Sequence, residues 1–324
     1  MNLSKILDLD LVLSSFVMIA PQFDRSTIYH LLDRCEIFTD LCFVALEENI
    51  PVIFLSQLGE YKGQLWNAEN RSMTIELAQF DRRQDEFFRL QMARAVVQGK
   101  LYNSKLLLLR LNRKRRLETI QAAINGLSTD LEALENAENI AEILGYEGCG
   151  AARYFPALGQ AITSEGFELT ERVFHPPNNP MNALLSFGYT QLLNNVFSLL
   201  LAEGVNPYLG NLHGTDDQRA DLAFDLMEEF RSPIVDTLVM KLVNQKIIKP
   251  TDFSWYKENG GIYLTNTARR IFLKYFEERI SELVTHSDIQ TQVSYRRAIQ
   301  FQIRRYKQYL VNDAFIYEPW LRRQ

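Results

Sequence analysis

The sequence predicts an α+β protein: a small β-rich domain over residues 1–68, then a larger all-α domain over residues 69–324. Three observations carry this. Up to about residue 65, apolar residues alternate or run in short blocks punctuated by turn formers. From Arg71 onward they recur at helical spacing. The 324 residues are 47% hydrophobic and 23% charged, enough for two ordinary cores. Such a chain is neither disordered nor a small disulfide scaffold. Its 3 cysteines, Cys35, Cys42 and Cys149, form no CxxC pair, which points to a reducing compartment and away from structural zinc.

Taken in order, Asp8-Leu9-Asp10-Leu11 alternates, and Val12 to Ile19 suits a pleated surface. Two helical pieces follow, capped at Asp24 and at Thr39-Asp40. Residues 51–55, PVIFL, read as a buried strand between Asn49 and the turn glycines Gly59 and Gly63. In the second domain a helix around Phe87 to Val97 stops at Gly99. Further helices run from Leu101 to Asn125, ending at Gly126, and from Leu127 to Leu144. Met181 to Glu203 is a long apolar helix between Pro180 and Gly204. Asp216–Phe230, Ile234–Gln245, Thr265–Val284 and Asp288–Val311 complete the set. The first ten residues carry two aspartates and no signal-peptide pattern, and no apolar run reaches about 18 residues. A cytoplasmic protein without a membrane span is expected.

The net charge of -5 hides an uneven distribution. Between Arg94 and Arg116 lie eight basic residues and no acid: Arg94, Lys100, Lys105, Arg110, Arg113, Lys114, Arg115 and Arg116. A second basic stretch holds Arg296, Arg297, Arg304 and Arg305. Each is a candidate grip on nucleic-acid phosphates, the alternative being a solvated helix face.

Three segments can carry chemistry. Glu147 sits beside Gly148 and Gly150 where a helix is expected to begin, and is either functional or a first-turn carboxylate favoured by the helix dipole. Cys149 next to it reads as a small buried residue. Asn206 to Gly214 is a turn-rich loop presenting His213, one of 4 histidines. Asp225, Glu228 and Glu229 share a helix face, where like charges repel unless a cation lies between them. An imidazole with two or three carboxylates suits a divalent cation such as Mg²⁺ or Mn²⁺ and phosphodiester displacement, provided the segments meet in space.

These segments, together with residues 182–189 (NALLSFGY), 204–214 (GVNPYLGNLHG), 225–231 (DLMEEFR) and 151–155 (AARYF), resemble the CRISPR adaptation integrase family, the universal CRISPR-associated protein that inserts spacers. Agreement extends to residues 50–56, to Gly99-Lys100 with Asn103, and to residues 263–265, 276–279 and 295–297. The resemblance implies a β-domain joined to an α-helical domain. It also implies a metal site of Glu147, His213 and Glu228, with Asp225 as a nearby carboxylate and Glu229 excluded by position. Many relatives carry aspartate where this chain has Glu228, a departure of one methylene.

The implied activity is metal-dependent integration: a DNA 3′-OH joins the CRISPR repeat by transesterification, with endonuclease cleavage from the same site. The implied partners are DNA, a second copy of the chain in a homodimer, a small CRISPR-associated adaptation protein, and a reverse transcriptase fused to or associated with the integrase. Relatives open with a pair of β-hairpins where this chain starts at what reads as a later strand. Either those hairpins are missing or this is one part of a longer polypeptide. A non-catalytic DNA scaffold and a stand-alone nuclease for branched DNA are the competing functions.

Overall fold

A computed structural model describes residues 42–47, 52–55, 61–65, 73–173, 176–214, 219–256, 260–286 and 290–322. The chain divides into two compact units, Met1–Met73 and Thr74–Gln324.

In the first unit, residues 42–47 are helical. Strands β1 (Val52–Leu55) and β2 (Tyr61–Leu65) form an antiparallel hairpin with Val52 opposite Leu65 and an irregularity after Phe54. The expected strand at residues 51–55 is therefore present. The strand expected at 12–19 and the caps at Asp24 and Asp40 lie outside the described residues.

The second unit is mostly helical: α1 (Met73–Gln84), α2 (Glu86–Arg115), α3 (Glu118–Leu134), α4 (Ile140–Gln160), α5 (Pro180–Ala202), α6 (Asp221–Met227), α7 (Thr237–Asn244), α8 (Asn266–Ser281) and α9 (Tyr295–Val311). Two short hairpins interrupt it, so it is not all-α. Strand β3 (Phe253–Tyr256) pairs with β4 (Gly261–Leu264), and β5 (Leu283–Thr285) with β6 (Gln292–Ser294). Both arise where aromatic and β-branched residues cluster, and Gly260, at φ +69°, supplies the positive φ before β4.

Helices α2, α3 and α4 pack on one another, and α2 and α5 both pack on the segment following α6. The shared core includes Met92, Val96, Leu101 and Leu108 of α2, Ile120 and Leu127 of α3, Leu158 of α4, and Leu184, Leu192 and Val196 of α5. Helix α5 has the length and apolarity to cross a membrane, with a mean hydropathy of 1.2 over 18 residues, although no unbroken apolar run of that length occurs. Those residues are 61% buried inside the protein, as befits a core helix. Asn179 caps it, Pro180 opens it and Gly204, at φ 71°, follows its end.

The expected stops at Gly99 and Gly126 are absent: α2 and α3 run through both. A Cβ on Gly99 would lie 2.9 Å from Glu229 Cγ and 3.0 Å from Pro319 Cβ. One on Gly126 would lie 2.5 Å from Arg153 Nε. These glycines permit close packing rather than termination. The breaks fall at Arg116, in the left-handed region with its N–H on Asn112 O, and at Asn139, whose side chain caps α4. Glu147 consequently sits within α4 rather than at a helix start, and Cys149 is exposed on that helix rather than buried.

Candidate metal centre

Between residues 221 and 244 the chain changes helical pitch three times. Helix α6 tightens to a 3₁₀ turn at Glu228–Phe230, widens to a π-turn at Arg231–Asp236, and resumes as α7. Pro233, which has no N–H to continue an α-helical ladder, lies inside the wide turn. Widened turns of this kind concentrate at functional sites. Here the irregular segment carries Glu228, Arg231 and Asp236.

Lys100 joins Glu228 to Glu147. It projects from α2, its Nζ is ion-paired with Glu147 of α4, and it lies 2.8 Å from Glu228 Oε2. Arg231 Nη2 takes the other Glu228 oxygen at 3.0 Å. The Glu228 side chain is only 4% exposed. Burial alone would raise its carboxyl; the charges of Arg231 and Lys100 more than offset this and hold it below the usual range. Burial likewise acts to lower Lys100, and Glu228 and Glu147 outweigh it, leaving the ammonium raised.

His213 is set by the loop that precedes α6. Pro207 O accepts from Leu222 N at 3.0 Å, fastening the loop to that helix. The fully buried Asp225 carboxylate gathers the loop's amides: Oδ2 accepts from Asn211 N at 2.6 Å and Leu212 N at 3.0 Å, and Oδ1 from His213 N at 3.4 Å. The imidazole Nδ1 lies 2.6 Å from the same Oδ1. That hydrogen bond raises the His213 pKa against burial and leaves Nε2 as the ring's remaining donor atom. With its oxygens engaged by the loop amides and the imidazole, Asp225, the expected nearby carboxylate, stands behind His213.

The neighbouring acids are occupied differently. Glu229 Oε1 accepts from Tyr317 Oη at 2.5 Å, and Oε2 from Trp320 N at 2.7 Å and Gln302 Nε2 at 2.9 Å. Burial pushes this carboxyl up to about 7 despite the three donors. Asn103 of α2 fastens the same region, donating to Glu229 O at 2.8 Å and Trp320 O at 2.9 Å. Tyr154 and Tyr189 each donate a 2.6 Å hydrogen bond to Asp236, whose pKa burial raises. A cavity of about 430 Å³ opens among Lys100, Glu147, Tyr154, Tyr189, Arg231 and Asp236.

Two carboxylates on facing helices and an imidazole fixed through its other nitrogen are a donor set that suits Mg²⁺ or Mn²⁺. The expected ligands do not close into a ready cage, however. Among the described residues no three His, Cys, Asp or Glu side chains converge as metal ligands. The cation between Glu147 and Glu228 is Lys100, which the sequence marks for DNA contact. The two tyrosines on Asp236 and the pairing of Arg231 with Glu228 are findings of the structure alone. The i, i+3 spacing of Glu228 and Arg231 is the available signal for the latter.

The other basic candidates divide. Arg94 donates to Ala137 O at 2.6 Å, Arg110 to Thr237 Oγ1 at 2.8 Å, and Lys105 lies over the Tyr102 ring at 5.7 Å. Arg113 is exposed near the end of α2. On α9, Arg296 makes two bonds to Glu277, at 3.0 and 2.7 Å, and Arg304 bonds Glu203 at 2.8 Å. Arg305 lies 3.5 Å from the Glu318 carboxylate, and Arg297 covers the Phe301 ring at 5.0 Å.

A family model described as CRISPR associated protein Cas1 matches residues 26–278, which include Glu147, His213 and Glu228. The CRISPR-associated endonuclease Cas1 of Leptospira interrogans is 36% identical over 254 residues, 76% of this chain and 99% of its own length. A solved Cas1 protein from Thermotoga maritima superposes with a TM-score of 0.68 at 26% identity, covering 82% of this chain and 80% of that one. A casposase bound to integration product shares the fold, with a TM-score of 0.72 at 22% identity over 85% and 79% of the two chains.

Proposed function

The chain belongs to the CRISPR associated protein Cas1 family, and from that premise we propose that it is a cytoplasmic, metal-dependent DNA integrase and endonuclease of spacer acquisition. The carrying observation is that Glu147 and Glu228, on different helices, face each other across a single cation position, with His213 oriented by Asp225. Glu147, His213 and Glu228 would hold Mg²⁺ or Mn²⁺, which when bound supplies neutralising charge at the reacting phosphate.

The reaction is a transesterification. The 3′-OH of captured DNA attacks a phosphodiester at the edge of the repeat; a new P–O bond forms as the bond to the repeat's own 3′ oxygen breaks. The attacking hydroxyl's proton passes to solvent and the leaving oxygen takes one back. With water in place of the 3′-OH, the same site cleaves DNA, which accords with the endonuclease name of the Leptospira relative.

The chain's own residues orient and neutralise. Asp225 fixes the His213 tautomer, and Arg231 pairs with the Glu228 carboxylate while lining the cavity. DNA is held through phosphates, with Lys105, Arg110 and Arg113 of α2 as the first contacts. Arg296, Arg297, Arg304 and Arg305 contribute where they exchange their present partners. The working form is a homodimer with a small CRISPR-associated adaptation partner, and with a reverse transcriptase where one is fused or associated.

Strand transfer tests this reading. Labelled duplex with free 3′ ends is incubated with supercoiled repeat plasmid, the small partner, and Mn²⁺ or Mg²⁺. Joined product that disappears in His213→Ala and Glu228→Ala is expected. Equal behaviour of parent and variants, all binding DNA, would make the chain a scaffold.

A further inference from the structure

Lys100 is placed to do more than contact DNA. Its Nζ is paired with Glu147 and lies 2.8 Å from Glu228 Oε2, while Arg231 pairs with the other oxygen of Glu228. Two carboxylates and two cations make this cluster electrically neutral. Adding a divalent cation to the same oxygens would leave a large positive excess in a mostly buried site, so one resident cation has to withdraw.

The two residents are not equally free to do so. The Arg231 guanidinium is stacked 4.5 Å from the Tyr189 ring centroid as well as bonded to Glu228. Lys100 lines the same cavity as Arg231 but carries its compact charge on a flexible four-carbon stem.

We propose that Lys100 is an exchangeable counter-ion: a divalent cation enters by displacing its ammonium from Glu147 and Glu228, and the freed ammonium turns into the adjoining cavity to pair with a phosphate oxygen of bound DNA. One side chain then links metal entry to DNA binding, and by linkage each favours the other. The inference rests on the metal-centre reading above and adds a competitor to it.

Mn²⁺ affinity is measured by electron paramagnetic resonance without DNA, for the parent, Lys100→Met, Lys100→Arg and His213→Ala. Lys100→Met should bind Mn²⁺ about ten-fold more tightly than the parent, within the usual range of such couplings. Lys100→Arg, which keeps the charge, should stay near the parent. Amine labelling of the unmodified protein, read by mass spectrometry, needs no variant to fold. Lys100 should be protected without additions, several-fold more reactive with Mg²⁺, and protected again when duplex DNA is added with Mg²⁺.

Unchanged or weaker Mn²⁺ binding by a folded Lys100→Met overturns the proposal. So does Lys100 labelling that ignores Mg²⁺ in a protein that binds it. If the parent and His213→Ala bind Mn²⁺ alike, the metal-centre reading itself fails and takes this one with it.

Discussion

Glu228 and Glu229 are adjacent, both buried and chemically identical, yet they face opposite kinds of neighbour. On one side, Glu228 meets the Lys100 and Arg231 cations, which hold its carboxyl low. On the other, Glu229 meets the Tyr317 hydroxyl, the Trp320 amide and the Gln302 amide, and burial raises it to about 7. A carboxylate bordered by mobile charge can trade one cation for another. A carboxylate wrapped in neutral donors fastens the chain, here joining the residues after α9 to the 3₁₀ turn. The side toward which each side chain projects therefore separates site from scaffold.

The largest expected effect breaks the pair apart. Glu228→Gln should reduce strand transfer by about a thousand-fold, comparable to removing a major electrostatic element of a catalytic site. Glu229→Gln should keep transfer within about ten-fold and instead lower stability by about 1–3 kcal/mol, because its amide nitrogen replaces an oxygen that accepts at least one buried hydrogen bond. Equal loss of activity in both variants would erase the distinction.

Trp320→Ala probes the scaffold side. The ring is 1% exposed, stacked on Phe230 at 5.1 Å and edge-on to Tyr295 at 5.7 Å. Denaturant unfolding should show a loss of about 3–5 kcal/mol.

The same contrast applies to the cations. Among the described residues Arg113, Lys114 and Arg116 pair with no carboxylate, whereas Arg296, Arg304 and Arg305 do. Replacing the first three by alanine should lower the slope of log affinity for DNA against log salt by about one for each phosphate no longer neutralised. Arg304→Ala with Arg305→Ala should change the slope less. The reverse order would show that α9 makes the principal contact.

The smallest effect concerns Asp236, which like Glu229 accepts from neutral donors, here the Tyr154 and Tyr189 hydroxyls. Its folded pKa is raised by burial, so its contribution to stability is complete below the ordinary aspartate value of about 3.9 and is lost as pH rises through the folded value. In thermal unfolding, Asp236→Asn should therefore gain on the parent as pH is raised from that value. A gap that stays constant would refute the shift.

How much the sequence makes legible follows from range. Helix α5 can be read almost to the residue because its signals are local: Asn179, Pro180 and Gly204. The ends of α2 and α3 cannot, because Gly99 and Gly126 answer to Glu229 and Arg153, residues distant in sequence that no window around either glycine contains. The hairpins at 253–264 and 283–294 escape a reading by period, since their strand-type residues are too few to set one. At the site, Glu147, His213 and Glu228 are legible through motif resemblance. The partition of roles among Asp225, Lys100 and Arg231 depends on which side chains meet across helices, and linear spacing does not carry that.

The most direct measurement is an anomalous difference map at the manganese edge from crystals grown with Mn²⁺. The account predicts a peak within coordination distance of Glu147, Glu228 and His213 Nε2, with Asp225 still on Nδ1 and the Lys100 ammonium moved off both glutamates. A peak elsewhere, or Mn²⁺ bound with Lys100 still bridging Glu147 and Glu228, would contradict it.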